Sequence, residues 1–284
     1  IVAIAANQQN LDPLAQILYV ITVLAYVVLA VLLASRMIRY WSNFAADVTN
    51  HAKGFAFLTT VAATNVLASA SIVIHGWWNL AWALWWASLV LWAAFVYTTL
   101  IAVVTDRDKP GLQGGINGSW FLLTVSTQSI AVVAALLLTR TDSDALAFTA
   151  VAAFALGVVL YLIVMTMVFL RWTFHPLDPT EADPPAWIAA GAVAITVLAG
   201  SNILLAADQA TDRVARLAPF LEGLVVTAWA TATFWFPLMI AIGIWRHLVR
   251  RVPLRYHPSY WAMVFPLGMY GAATYRMNAA IDFD

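Results

Sequence analysis

The feature that most constrains this chain is a run of long segments without formal charge. Seven blocks carry no Lys, Arg, Asp or Glu through their centres: Leu14–Ser35, Gly54–Ile74, Trp77–Val104, Ile116–Thr139, Ala145–Leu170, Ala186–Ala207 and Tyr256–Tyr275. An eighth, Arg216–Trp245, is interrupted near its start by Glu222. About 20 mostly apolar residues suffice to cross a bilayer as a helix. Hydrocarbon offers no partner to exposed backbone groups, so spans of this length are helices. A barrel would show short alternating strands instead. The eighth block is too long for one straight span, so an end projects or Pro237 bends it. Composition closes the other routes. Only 10% of the 284 residues are charged, against about 25% in a soluble domain, and the 63% hydrophobic content excludes disorder. Fourteen basic residues balance fourteen acidic ones, leaving no basic face for nucleic acid. The absence of cysteine removes disulfides, thiolate metal sites, iron–sulfur clusters and cysteine nucleophiles. The fold class is all-α integral membrane.

The first residues, Ile1–Ala6, are apolar but too few to span, and Asn7–Asn10 with Asp12-Pro13 reads as a loop. They fit either a short interfacial leader or, as we prefer, the end of a first helix whose beginning is missing; a fragment is expected. Counting that helix as the first span, loops at one end hold Arg36, Arg39, Lys53, Arg107, Lys109, Arg171, Arg246, Arg250, Arg251 and Arg255, and the other end holds four basic residues. The excess places the richer end, and the N-terminus, in the cytoplasm.

The spans are of two kinds, and they alternate. Even-numbered spans are Leu-, Val-, Ala- and Trp-rich, and read as lipid-facing. Odd-numbered spans carry small and polar residues: Thr59, Thr60, Thr64, Asn65 and Ser69 in the third, Ser126, Thr127, Gln128 and Ser129 in the fifth, Gly191, Thr196, Gly200, Ser201 and Asn202 in the seventh. Each polar group in hydrocarbon is costly unless it faces a partner or water. Singly they read as glue between helices; as a set on alternate spans they predict an inner ring around a pore. Conduction needs sites that bind weakly. No Lys or Arg lies mid-span on an inner helix, so Thr60, Asn65, Ser126, Gln128 and Asn202 are the pore-lining candidates, their hydroxyl and amide groups standing in for anion hydration. Glu222 fits a surface pair with Arg216 or Arg213, or a proton relay. Arg276 fits a snorkelling side chain, or a charge that concentrates anions at the mouth. The five histidines sit at span ends or in loops, with no metal-ligand spacing and no hydrolase motif. No enzyme, metal or cofactor is expected.

Four stretches resemble one family: Ile1-Val-Ala-Ile-Ala-Ala; Gly115-Ile-Asn-Gly-Ser-Trp-Phe-Leu-Leu with Thr127-Gln-Ser-Ile-Ala-Val; Pro185-Ala-Trp-Ile-Ala-Ala-Gly-Ala-Val-Ala-Ile; and Tyr260-Trp-Ala-Met-Val-Phe-Pro-Leu-Gly-Met-Tyr. In this order they are similar to the tellurite-resistance/dicarboxylate transporter family, which includes bacterial tellurite-resistance anion channels, fungal malate permeases and plant slow anion channels. The resemblance implies ten helices in five tandem hairpins, odd helices around a central pore and even ones outside. It implies that about nine spans are present here, one domain over 1–284 lacking the start of the first helix and the tenth. It implies a phenylalanine gate in the ninth helix at Phe265, beside Pro266, and a homo-oligomer, commonly a trimer. Inner helices of the family often carry mid-span prolines; the third and fifth here have none. The expected function is an anion channel for small anions in a prokaryotic inner membrane, with dicarboxylate or tellurite oxyanions also admitted. The alternative is a proton-coupled secondary transporter of dicarboxylates such as malate.

Overall fold

A computed structural model describes residues 1–178, 184–207 and 212–281. The membrane-embedded helices are α1 (Val2–Gln8), α2 (Asp12–Arg39), α3 (Thr59–His75), α4 (Trp78–Thr105), α5 (Leu122–Leu138), α6 (Asp144–Phe174), α7 (Ile188–Ala207), α8 (Ala218–Ile244) and α9 (Trp261–Ala280). Among the described residues, seven helices, α2 to α8, are long and apolar enough to cross a bilayer. Short 3₁₀ turns lead into α3, α5, α7 and α9. The chain is an integral membrane protein.

Local chemistry sets the ends. Gly76 adopts φ 65°, the left-handed conformation that closes α3: its N–H donates to Ile72 O and that of Trp77 to Ser71 O, satisfying the last carbonyls. Ser143 caps α6 by accepting from the Leu146 N–H, and Asn117 caps the turn into α5 by accepting from Ser119 N–H. Asp12 lies in the first turn of α2 and Arg36 and Arg39 in the last, each the charge the helix dipole favours. Pro237 sits within α8, and the helix continues through a π-helical turn, Trp245–Val249.

Three boundaries differ from expectation. Asn7 and Gln8 complete α1 rather than belonging to the loop. Arg171 lies inside α6 and is buried; its Nε donates to Gln113 O and a terminal nitrogen to Pro176 O. Those carbonyls let the helix carry the charge past the apolar block. The ninth helix begins after Pro258, which stands at the start of a 3₁₀ turn, and runs on to Ala280. Between α2 and α3 a surface helix, Trp41–Val48, packs Phe44 and Val48 inward. On it Asp47 accepts from Lys53 Nζ and Arg36, contacts that hold its carboxyl below its ordinary pKa.

From α2 to α8 the layers follow the alternation read from composition. Through the apolar windows α5 is wholly buried, α7 94% and α3 61%, while α2 is 6% buried, α4 22%, α6 28% and α8 28%. Helix α1 packs on α3, α3 on α5, α5 on α7, α7 on α9, and α9 back on α1. The odd helices thus close a five-membered ring. Each of α2, α4, α6 and α8 lies outside it, against the odd helix before it and the one after.

Polar bonds fasten the outer layer inward. Tyr19 and Tyr26 of α2 meet Ser71 and Thr64 of α3 at 2.9 Å each. The deep tryptophans of α4 donate to α5, Trp85 to Ile130 O and Trp92 to Thr127 Oγ1. Trp235 of α8 donates to the Tyr161 hydroxyl of α6 at 3.0 Å.

Candidate functional site: the axial path

A cavity bounded by all five members of a closed ring must lie on its axis. Two such cavities are present. The first is a waist of about 20 Å³, touched by Ile4 of α1, Asn65 of α3, Val132 of α5, Ile195 of α7 and Met269 of α9; it has room for about one water. The second is a mouth of about 280 Å³ at the end away from the basic loops, touched by Asn7, Ser69, Leu136, Asn202 and Arg276 from the same five helices. Ile4, Ser69, Val132 and Leu198 border both, so the waist adjoins the mouth. Helix geometry explains the set. Asn65, Ser69 and Val73 on α3, and Ile195, Leu198 and Asn202 on α7, recur at three- and four-residue spacing, which puts them on one face.

Phe265 and Pro266 lie one turn from Met269, toward the basic end, about 6 Å along α9. The half-buried Phe265 ring covers Gly191, which is one turn from Ile195 in the same direction. A Cβ at Gly191 would stand 2.8 Å from Phe265 Cε1 and 3.0 Å from Pro266 Cγ. Only glycine lets α9 bring this ring onto the backbone of α7. Pro266 has no N–H to give the Ala262 carbonyl, loosening the helix there.

The predicted lining residues divide. Asn65 reaches the waist but also joins three helices: its Nδ2 donates to Ser129 Oγ of α5 and its Oδ1 accepts from Ser88 of α4, both at 2.9 Å. Asn202 lines the mouth. Ser126 is buried, its hydroxyl on Leu123 O at 3.2 Å. Gln128 turns outward: its Nε2 donates to Phe154 O of α6 at 3.0 Å, and its side chain rests on Gly157. Thr60 donates to Phe57 O and lines a groove between α2 and α3. The wall also uses Ser69, named in the polar set of the third span but not among the lining candidates, and Val132, Ile195, Leu198 and Met269, which are apolar and carry no signal of their own in the sequence.

Of the two axial cavities, only the mouth has a charged side chain on its wall among the described residues. The waist has no titratable side chain on its wall. Arg276 turns inward instead of snorkelling: its Nε donates to Asn202 Oδ1 at 2.8 Å, and it is the one charged residue on the wall of the mouth among the described residues. Asn7, on the same wall, donates its Nδ2 to Asp12 at 3.4 Å. Glu222 is exposed on α8 and makes no ion pair among the described residues; the side chain of Arg213 lies outside them. Among the described residues no group of His, Asp or Glu gathers as a metal site.

Known proteins are similar to this chain in sequence. An uncharacterized membrane protein of Mycobacterium tuberculosis (strain H37Rv) is 45% identical over 125 residues, 43% of this chain and 60% of that one; the match spans less than two thirds of the relative. Two uncharacterized transporters of Methanocaldococcus jannaschii are each 23% identical over 94% of this chain, covering 75% and 77% of their own lengths. The family described as SLAC1, voltage-dependent anion channel, matches residues 1–284. With a closed ring of odd helices, a narrow neutral waist and full-length agreement, this chain belongs to the SLAC1 family of membrane transporters and anion channels.

Proposed function

We propose that the protein conducts small anions down their gradient along the ring axis, with the basic loops and the N-terminus in the cytoplasm and Phe265 as the gate. The observation that carries this reading is the waist: all five odd helices contribute to it, and the phenylalanine that covers Gly191 lies one turn beyond. An ion passing it sheds water against Asn65 and Ser69, neutral groups that bind weakly enough to release it. Pro266 gives the backbone beside the ring freedom to let the side chain change rotamer. A proton-coupled dicarboxylate carrier is the alternative reading. Coupling needs a protonatable side chain on the path, and among the described residues the waist wall holds none, which favours the channel.

Proteoliposomes loaded with chloride, nitrate or malate test the two readings. A channel gives downhill chloride and nitrate flux indifferent to an uncoupler. Uphill malate uptake that an uncoupler abolishes would establish the carrier instead.

A further inference from the structure

Arg276 is ~16 Å along α9 from Phe265, the rise of eleven residues, and borders a mouth of about 280 Å³. One bond fixes it: Nε to the buried Asn202 Oδ1, 2.8 Å. Its two terminal nitrogens have no hydrogen bond or ion pair among the described residues. A guanidinium keeps its charge at any physiological pH and presents its donors in a fixed plane. The amide groups of Asn7, Gln8 and Asn10 border the same cavity. Together these are a cation held by one bond, facing an open cavity whose wall carries amide side chains.

We infer that Arg276, positioned by Asn202, forms a capture site for one small monovalent anion at the mouth of the path. The valence follows from the wall. Among the described residues it offers one positive charge, and the Asn7 amide on it is bonded to the carboxylate of Asp12, so a dicarboxylate would bring a second negative charge with no cation to meet it. This rests on the channel reading for its role in transport, though binding itself does not require flux.

Two measurements separate the site from the channel. The first is melting of the purified full chain in detergent, with nitrate against gluconate at equal ionic strength. The second is nitrate flux in proteoliposomes at ~10 mM and ~1 M salt, where screening lengths are about 30 and 3 Å. Nitrate raises the melting temperature of the parent protein, and malate does not substitute for it. Asn202→Asp keeps the shape but adds a carboxylate beside Arg276, converting the site to an ion pair; the variant melts no lower than the parent yet loses the nitrate effect. Arg276→Gln loses it too, and Arg276→Lys keeps part of it. Both N202D and R276Q lower low-salt flux about fivefold, the factor for one unit charge at contact distance in water, and the deficit shrinks below about twofold at high salt. Nitrate stabilisation that survives N202D, or malate stabilisation equal to that by nitrate, overturns the site. Stabilisation lost as expected in a protein that passes no anion would leave the site standing and the channel reading refuted.

Discussion

Replacing Phe265 by alanine removes the ring that covers Gly191, and the size of the effect follows from what holds the ring there. Leaving a favoured rotamer costs about 0.5–1.5 kcal/mol. Lifting the ring from Gly191 and Pro266 forfeits about 0.1–0.2 kcal/mol for each atom pair separated. The sum, about 1–2 kcal/mol, favours the closed pose by a factor of about 5–30. Phe265→Ala therefore raises chloride efflux from proteoliposomes about 5–30-fold per incorporated protein. Gly191→Ala reaches the same gate from the other side. Its Cβ would lie 2.8 Å from Phe265 Cε1, so the ring must leave its seat, and flux rises again. If both act on one gate, Gly191→Ala adds little once the ring is gone, because contacting residues are not additive. Melting temperatures and chromatographic profiles establish that each variant is folded. A folded Phe265→Ala protein with unchanged efflux, or two effects that multiply, would refute the gate.

Other consequences concern stability and pH. Asn65→Leu removes the partner of both Ser129 and Ser88 and lowers stability by about 1 kcal/mol, as typical hydrogen bonds between membrane helices do; denaturation in mixed micelles reads it, and no change would mean that the three helices do not depend on this bridge. Gly200→Ala would set a Cβ 2.3 Å from Val225 Cγ2, overpacking α7 against α8 at about 1–3 kcal/mol; the variant should melt lower with its anion preference unchanged. Asp47, with its carboxyl held below the ordinary value by Lys53 and Arg36, stabilises the folded state above about pH 4 and loses that contribution as pH falls through its lowered pKa. Asp47→Asn removes this acid-limb dependence and changes stability at neutral pH by no more than the roughly 1 kcal/mol of a surface pair; titration of melting temperature from neutral to acid shows it.

Much was legible in the linear order of residues because the bilayer imposes a length and a penalty. Uncharged blocks of span length gave the helices, and the enrichment of small and polar residues on the third, fifth and seventh spans gave the two layers, because hydrocarbon tolerates such groups only where another helix or water meets them. Individual facings were not legible. Gln128 and Asn65 look alike on paper, yet one turns out to Phe154 of α6 and the other reaches the axis. Ile195 and Met269 border the waist with side chains indistinguishable from those facing lipid. Arg276 admitted both snorkelling and a place at the mouth, and Asn202, 74 positions away in the chain, is what turns it inward.

The sequence by itself determined that this is an all-helical membrane protein, which helices lie inside, and which end is basic. Only the tertiary structure decided that the five odd helices close on themselves, that Gly191 seats the Phe265 ring, and that the mouth holds a single arginine. Length, burial preference and charge asymmetry are properties of each span alone. A helix that is apolar on every side has no pattern to fix its rotation, so which residues meet on the axis is set by its neighbours.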